Sequence, residues 1–422
     1  MIALDLSRLL SRAGRGTPTG IDRVELAYAE HLIASGAPAS FTAVGAHGGL
    51  ALLTRRIADD FVAEIGAAWR GGSDSLAQMG QDRRVRQLAR HARMALLAGS
   101  GRVLLSRLRA SAAPPVYLLV SHHHLEKRRL IARLKERSPA RFVCLIHDLI
   151  PIEFPEYAKP GQAEHHLRRI ETAARFADAL IVNSAVTREA LQPHLDHAGR
   201  NPPVLVAPFG ADLPPASRAE GPPFERPYFV YVSTIEARKN HLLLLNVWRR
   251  LATEMGDRAP LLVLVGQRGW ETENVVDMLD RCPALRGSVI EHNTLPDAAM
   301  VGLLKGACAL LLPSFAEGFG FPLIEALQLG VPALCSDIAA LRETGDTVPE
   351  FLDPLDGPGW RTAILDYATP GSPRRAAQLT RLAGWDPPRW DAHFAIVDRF
   401  IAAAAGNPRP DRQSTTCVAQ AT

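Results

Sequence analysis

Two glutamates and two adjacent cations are the residues of this sequence whose types and spacing could do chemistry. Glu317 and Glu325 are separated by seven residues in the segment 313–336, PSFAEGFGFPLIEALQLGVPALCS. Arg238 and Lys239 stand together in the segment STIEARKN. Carboxylates accept hydrogen bonds from hydroxyl groups, whereas Arg and Lys can neutralise a diphosphate. The pattern predicts a site for a phosphorylated, hydroxylated ligand; ordinary surface charges are the competing interpretation of each residue.

The elements around the two glutamates are predicted from an apolar run and a short periodic segment. Residues 309–312 have the length and composition of a buried parallel strand. A helix over 323–329 and a further strand over 331–335 follow. Glu317 then falls in a loop, and Glu325 lies about one turn into the helix. In an open parallel sheet, ligands bind beyond the carboxyl ends of the strands, which is where such a loop lies.

The glycines of this loop support a ligand site. Gly318 and Gly320 let backbone N–H groups approach an anion closely, and the N-terminus of the following helix favours phosphate. Gly330 is expected to end that helix from its C′ position. A solvated loop glutamate and a helix-surface glutamate would need no such glycines, so the functional interpretation is favoured.

This segment resembles the E-x7-E signature of the retaining glycosyltransferases of family 4. The matching residues are Glu317, Gly318, Phe319, Gly320, Pro322, Glu325, Ala326, Gly330 and Pro332. Family 4 enzymes have the GT-B fold, in which two Rossmann-like domains face a cleft. The resemblance implies that Glu317 contacts the donor sugar, that Glu325 holds the nucleotide ribose, and that the loop Gly318, Phe319 and Gly320 contacts the donor.

Two other segments share the resemblance. STIEARKN is similar to the family motif that binds donor phosphates through Arg238 and Lys239, with Ser233 where glycine is usual. HDLIPIEFPE is similar to a loop in which the histidine, here His147, approaches the donor sugar. A structural His147–Asp148 pair is the alternative for that loop.

Two more glycine loops are expected on the ligand side. The segment 11–20, SRAGRGTPTG, precedes a predicted amphipathic helix over 21–33, and Gly20 lies at its entrance. Short glycine patterns are weak evidence alone, but GT-B enzymes often place such a loop over the donor diphosphate. Here Thr19-Gly20 replaces the usual double glycine. Gly266 ends a predicted strand and is expected to contact the donor.

Composition and charge restrict the class of protein. The chain has 422 residues, enough for about two domains, and a formal charge of +4. This mild basicity does not require nucleic acid as a partner, and no nucleic-acid motif is present. Five scattered cysteines without a C-x-x-C pair suit a reducing cytosol. The N-terminus is a poor signal peptide and no window predicts a membrane span, so we expect a cytoplasmic protein.

The arginine-rich segment 83–109 contains no Asp or Glu and has apolar residues at helical spacing. It predicts either an interfacial helix on the inner face of an anionic membrane or a surface helix whose arginines are solvated. His122, His123 and His124 suggest zinc, but adjacent residues on one short loop rarely supply the geometry of a metal site. A polar loop or part of the acceptor site is the preferred interpretation, and the role of these histidines stays open.

Strands alternate with helices along the chain, which predicts an α/β protein of two doubly wound domains. The expected boundaries are an acceptor-side domain at 1–213, a linker at 214–227 and a nucleotide-sugar domain at 228–384. A C-terminal helix over 385–405 is expected to return to the first domain, before a disordered tail at 406–422.

The resemblance implies transfer of a sugar from a nucleotide-diphosphate sugar to an acceptor hydroxyl with retention of configuration, as in the assembly of polysaccharide or glycolipid. No two aspartates are separated by one residue, so the common D-x-D metal site is absent and a metal-independent reaction without a cofactor is expected. A sugar-nucleotide 2-epimerase and a non-catalytic nucleotide-sugar-binding scaffold are the alternatives. A phosphorylase would need a pyridoxal-phosphate lysine, and no segment resembles that site.

Overall fold

The structure is a computed structural model. It describes residues 1–406 except residues 16, 46–47, 71–74, 97–99, 212, 214–223 and 294. Residues 214–223 of the predicted linker and residues 407–422 of the predicted tail lie outside the described residues.

Strands and helices alternate along the described chain. The strands are β1 Ile2–Asp5, β2 Ala39–Val44, β3 Leu50–Leu53, β4 Val116–Leu119, β5 Arg141–Ile146, β6 Ala179–Val182, β7 Val204–Val206, β8 Tyr228–Val232, β9 Leu261–Val265, β10 Val289–His292, β11 Ala309–Leu312, β12 Ala333–Ser336 and β13 Glu350–Leu352. The helices of the first half are α1 Ser7–Arg12, α2 Gly20–Ala34, α3 Arg55–Arg70, α4 Ser75–Ala95, α5 Ser100–Arg109, α6 Arg128–Arg137, α7 Ile150–Glu153, α8 Gln162–Phe176 and α9 Ala185–His197. The second half contains α10 His241–Met255, α11 Glu273–Arg281, α12 Asp297–Lys305, α13 Phe321–Gln328, α14 Ala339–Gly345, α15 Gly357–Ala368, α16 Pro373–Ala383 and α17 Trp390–Gly406.

The strands form two separate sheets. In the described residues, the first sheet has the order β3-β2-β1-β4-β5-β6-β7, and only β3 runs antiparallel to its neighbour. The second has the order β10-β9-β8-β11-β12-β13 and is parallel throughout. The strand order of the second sheet is that of a dinucleotide-binding fold, with the switch point between β8 and β11. The predicted α/β class and the pair of Rossmann-like domains are confirmed.

The central strands are apolar because helices cover both faces of each sheet. Every residue of β4, β5, β6, β9, β11 and β12 is buried. Such strands leave only their carboxyl ends and the loops that follow them for ligand chemistry.

The last helix packs on the first domain. Phe394 and Val397 of α17 belong to the same apolar cluster as residues of β1 and α2. The Tyr28 hydroxyl lies 2.9 Å from Nε2 of His393, and a Cβ on Gly210 would lie 2.2 Å from the backbone nitrogen of Trp390. The helix begins at Trp390, five residues later than predicted, since two prolines precede it.

The sequence predicts no defined elements over residues 40–80, where the structure has most of β2, all of β3 and α3, and the start of α4. The α3 helix buries Phe61, Val62, Ile65 and Trp69 at helical spacing. This periodic signal is present in the sequence, and it places the antiparallel edge strand β3 beside a helix of the same domain.

The arginine-rich segment lies in α4 and α5, which pack on the protein through one apolar face, while Met94 and Val103 are exposed. Val85, Ala89, Ala92 and Leu104 are each 2% exposed or less. The prediction of an interfacial helix requires an apolar face that is free to enter a membrane, but packing in the first domain occupies it. The outer surface of these two helices carries exposed arginines, which we call the cationic face.

No helix among the described residues is both long and apolar enough to cross a membrane. Cys144, Cys282, Cys308 and Cys335 are free thiols, and Cys417 lies outside the described residues.

Candidate active site

A cleft between the two sheets collects the loops that follow their strands. Its second-domain wall follows β8, β9 and β11, and its first-domain wall follows β1, β5 and β6. The residues predicted for the site all line this cleft: Gly20, His147, Ser233, Arg238, Lys239, Gly266, Glu317, Gly318, Phe319, Gly320 and Glu325. Loops at the carboxyl ends of strands from both sheets therefore meet in one cleft, and such strand ends are where open α/β sheets bind ligands.

Glu317 is the counter-ion of both predicted phosphate-binding cations. Its Oε1 accepts hydrogen bonds from Lys239 Nζ at 2.5 Å and Ser314 Oγ at 2.7 Å, and its Oε2 lies 3.4 Å from Arg238 Nη1. Arg238 also bonds Glu236 through Nε at 3.2 Å. Two cations thus face two carboxylates on the second-domain wall.

Burial of Glu317 would raise the pKa of its carboxyl, but Lys239, Arg238 and the hydrogen bond from Ser314 outweigh burial and lower that pKa to about 2. The carboxylate is therefore ionised at neutral pH. An incoming diphosphate would compete with Glu317 for Lys239 and Arg238, which couples phosphate binding to the position of this side chain.

The loop that carries the cations is fixed to the Glu317 loop. Asn240 immediately precedes α10, but it has a left-handed backbone and makes no side-chain cap. Its Nδ2 instead donates to the carbonyls of Pro313 at 3.0 Å and Pro354 at 2.8 Å. The backbone N–H of Phe315 donates to the carbonyl of Arg238 at 2.8 Å. These bonds hold the loops after β8 and β11 at a constant spacing.

Glu325 lies in α13 at the other end of this wall. It is 7% exposed, and burial raises the pKa of its carboxyl to about 7; Arg23 lowers that pKa and Asp297 raises it further. Arg23 belongs to the first domain, and its Nη2 donates to Asp297 Oδ1 at 2.9 Å. A charged pair from the two domains therefore borders Glu325.

Two of the predicted glycines are required by the backbone. Gly266 has φ +155°, and a Cβ there would lie 1.9 Å from the carbonyl oxygen of Ser233. Gly320 has φ +87° immediately before α13, and a Cβ would lie 2.7 Å from Leu341. These positions keep the loops close together and leave backbone N–H groups near the cleft.

His147 occupies the first-domain wall as a buried neutral imidazole. Burial lowers its pKa to about 4, and Nε2 lies 2.8 Å from the carbonyl of Val120. Nε2 is therefore the donor, which leaves Nδ1 as an acceptor. Opposite it, a Cβ on Gly318 would lie 3.0 Å from both the His147 carbonyl and Asp148 Cβ. Gly318 thus permits the two walls to approach.

The three adjacent histidines have different surroundings. His122 is buried, its Nε2 accepts the backbone N–H of His147 at 3.2 Å, and its ring contacts those of His147 and His166. His123 and His124 are only partly buried and contact each other. No group of three or more metal-ligating side chains occurs in the described part of the chain. His122 therefore supports the position of His147.

Sequence reasoning missed a cationic corner on the first-domain wall. Asp22 is fully buried and binds Arg8 Nε at 2.6 Å and Arg12 Nε at 2.9 Å. Thr19 caps α2 together with Asp22, in a capping box next to Gly20. The signal in the sequence was the T-x-x-D spacing before an apolar helix.

Gly20 itself lies against the second domain, since a Cβ there would be 3.0 Å from Phe321. Phe321 stacks on Phe209 with ring centroids 5.5 Å apart, and Phe319 meets Phe209 edge-on at 5.0 Å. The ring of Phe319 therefore anchors the glycine loop to the other domain.

Comparison with known proteins agrees with this geometry. Residues 215–345 match the family model described as "Glycosyl transferases group 1". Residues 215–345 therefore carry the sequence features of this family. The matched residues include both glutamates and the Arg238–Lys239 pair, whereas the first-domain wall lies outside the match.

Curated relatives match part of the chain. The chain is 28% identical over 250 residues to the O-antigen chain mannosyltransferase B of Escherichia coli, covering 58% of the chain and 65% of that protein. It is 30% identical over 224 residues to the serotype-specific mannosyltransferase WbdA of the same species, covering 49% of the chain and 27% of that protein. The chain thus spans less than two-thirds of either relative.

Solved structures share the fold over nearly the whole length of the chain. The sucrose-phosphate synthase of Thermosynechococcus elongatus superposes with a TM-score of 0.60 at 16% identity, covering 96% of this chain and 99% of that one. A UDP-forming trehalose-phosphate synthase from Burkholderia xenovorans gives 0.59 at 12% identity, covering 97% and 99%. The fold is GT-B.

Proposed function

We propose that this protein is a retaining hexosyltransferase that moves a sugar from a nucleotide-diphosphate sugar to an acceptor hydroxyl. The observation that carries the proposal is that Arg238 and Lys239 pair with Glu317 on the second-domain wall of the cleft, while His147 lies on the first-domain wall. Cations for a diphosphate and acceptors for sugar hydroxyls meet there within one cleft. The saccharide acceptor would enter over the first-domain wall and the donor over the second.

In the proposed reaction, the bond between the anomeric carbon and the diphosphate oxygen breaks, and the diphosphate keeps the electron pair. The acceptor oxygen bonds to the anomeric carbon on the same face, and its proton passes to the departing diphosphate. Glu317 is a poor nucleophile because Lys239, Arg238 and Ser314 bind it. Its proposed role is to orient the donor sugar and the two cations, while the Nδ1 of His147 accepts from a sugar hydroxyl.

We further propose that no divalent metal is needed. The charge that builds on the leaving diphosphate would be met by Arg238, Lys239 and the N–H groups of the glycine loops. Each such donor in a closed site is worth on the order of 3–4 kcal/mol at the transition state. Transfer that is abolished by excess EDTA and restored by Mg²⁺ or Mn²⁺ would overturn this part of the proposal.

The test is a transfer assay with purified full-length protein and a panel of nucleotide sugars, with and without an oligosaccharide acceptor. Mannose-bearing donors come first, because two relatives are named mannosyltransferases. A transferase needs the acceptor, and NMR of the product reports retention or inversion. Conversion of the donor without an acceptor would indicate an epimerase, and binding without conversion a scaffold.

Two matched pairs of variants sharpen this assay. Arg238→Ala should slow turnover about 10²–10³-fold, whereas Arg268→Ala is its control, because Arg268 bonds Asp280 and Glu291 outside the cleft. Glu317→Gln should cause a similar loss of turnover. It should also lower the thermal midpoint, since breaking a buried ion pair costs about 3–5 kcal/mol. Ser314→Ala removes only one hydrogen bond from the same carboxylate.

The setting of the reaction is also a proposal. We propose a cytoplasmic enzyme of polysaccharide or glycolipid assembly that touches an anionic membrane through residues 83–109. Support comes from the cationic face of α4 and α5, whose arginines point outward. Because the apolar faces of both helices are buried, the contact would be electrostatic and peripheral.

A further inference from the structure

Asp297 is a buried carboxylate in the cleft with one oxygen that lacks a partner. It is the first residue of α12, and its side chain is 9% exposed. Oδ1 accepts from Arg23, but Oδ2 has no hydrogen-bond partner among the residues that the structure describes. A solvent-exposed acidic side chain in the first turn of a helix is stabilised by the helix dipole. Burial of an unpaired carboxylate oxygen costs free energy, so Asp297 has the features of a ligand-binding group.

The surroundings of Asp297 suit a flat heterocycle. Val265, Leu295 and Met300 give this end of the cleft apolar walls, and Asn293 lies beside them. Asp297 supplies a carboxylate beside these apolar side chains. This combination of apolar faces and one placed polar group is the usual design of a small-molecule subsite.

The position of the slot fits the base of the donor nucleotide. Arg238 and Lys239 mark the diphosphate, and Glu325 is the proposed ribose anchor. Asp297 lies close enough to Glu325 to raise the pKa of its carboxyl. A nucleoside whose ribose rests on Glu325 would therefore direct its base toward Asp297.

We propose that Asp297 selects the nucleobase of the donor and that this base is guanine; the inference rests on the proposed function. Guanine presents N1–H and the N2 amine side by side on one edge, and a carboxylate can accept from both. Uracil presents a single N–H between two carbonyl oxygens, which a carboxylate repels. Adenine presents its amine beside an unprotonated ring nitrogen, so only one hydrogen bond forms.

Arg23 has a positioning role in this scheme. It reaches from α2 of the first domain and donates to Oδ1 of Asp297 at 2.9 Å. Each carboxylate oxygen has two lone-pair sites, so Oδ1 can still accept from a base. Arg23 thus fixes the carboxylate from the opposite wall when the two domains are together.

The experiment is calorimetric titration of the full chain with GDP, IDP, UDP and ADP. Inosine differs from guanosine only in lacking the N2 amine. GDP should bind about tenfold to a hundredfold more tightly than IDP, the factor for one hydrogen bond to a charged group, and more tightly than UDP or ADP. Equal affinities for GDP and IDP in the unmodified protein would overturn the proposal without any variant.

Two variants assign the effect to Asp297. Asp297→Asn keeps the size of the side chain and should bring the GDP-to-IDP ratio toward one. Arg23→Gln leaves the carboxylate, so it should weaken both nucleotides by a similar factor and preserve the ratio. A ratio that survives Asp297→Asn would assign guanine recognition elsewhere. If the unmodified protein bound none of the four nucleotides, the proposed function itself would fail, an outcome distinct from unselective binding.

Discussion

At Glu325, burial favours the protonated carboxyl, whereas the proposed contact with ribose needs the ionised carboxylate. In its proposed role as ribose anchor, Glu325 must be ionised to accept two hydroxyl hydrogen bonds, yet burial raises the pKa of its carboxyl to about 7. Below that pKa the carboxyl is protonated, and ionising it costs free energy before the ribose can bind. Donor affinity should therefore fall as the pH falls through 7.

The expected size is about tenfold weaker binding at pH 6 than at pH 8, since one unit of pKa is worth about 1.4 kcal/mol. The measurement is the dissociation constant of a nucleotide sugar, whose diphosphate has no second ionisation in this range. Glu325→Gln should bind more weakly at pH 8 and show no such pH dependence. His147, with a pKa of about 4, does not titrate in the same window. A pH dependence that persists in Glu325→Gln would assign it to another group.

Single residues also show where sequence reasoning stops. The types of Glu317, Arg238 and Lys239 could be read from two motifs, but Glu317 lies 78 and 79 positions from the two cations, and their mutual contact depends on β8 lying beside β11. An Asn immediately before an apolar helix is typical of an N-cap, yet the amide of Asn240 binds two carbonyls instead of capping α10. An amide side chain suits both uses, so only the packed loops decide between them.

At the scale of elements, fully buried strands were predictable because they are contiguous apolar runs, whereas half-buried strands were not predictable. Strand β11 occupies the predicted residues 309–312, because a fully buried parallel strand is apolar throughout. Helix α13 begins two residues earlier than predicted, since Pro322 is tolerated in a first turn. Strand β3 alternates between buried and half-buried residues at a sheet edge, and so short a pattern does not separate a strand from a loop.

The cationic face of α4 and α5 leads to a prediction at this scale. Binding to anionic liposomes should depend on exposed arginines, should be released as salt rises, and should be absent from neutral liposomes. Arg83→Gln, Arg90→Gln and Arg102→Gln together should abolish sedimentation with the liposomes. Met94 and Val103 are 58% and 53% exposed. The double variant Met94→Ser and Val103→Ser is therefore the control for insertion of apolar side chains into the liposome membrane.

That control should sediment like the unmodified protein, because the contact is expected to be electrostatic. If the serine pair lost binding while the glutamine triple kept it, the two exposed apolar side chains would be the anchor. Binding to neither kind of liposome would leave only solvated surface helices.

At the scale of the whole molecule, the two domains contact each other around the cleft through several small interactions. Glu343 of α14 accepts the first backbone N–H groups of α9, from Ala185 at 2.6 Å and Val186 at 3.1 Å. Tyr157 stacks on Phe315 with ring centroids 5.6 Å apart, and Lys159 lies 4.7 Å over the ring of Trp270. Each contact is modest alone, so closure should be reversible, as release of a product requires.

Glu343 offers the most direct test of this closure. Its carboxylate caps α9 across the domain boundary, and loss of a helix cap costs about 1 kcal/mol, or about fivefold in the equilibrium between open and closed domains. Glu343→Ala should therefore speed hydrogen exchange at the Ala185 and Val186 amides and raise donor hydrolysis relative to transfer, since an open cleft admits water. Glu254→Ala is the matched control, because Glu254 pairs with Arg250 and Arg361 within the second domain. Unchanged exchange and an unchanged ratio of hydrolysis to transfer in Glu343→Ala would show that this cap does not hold the domains together.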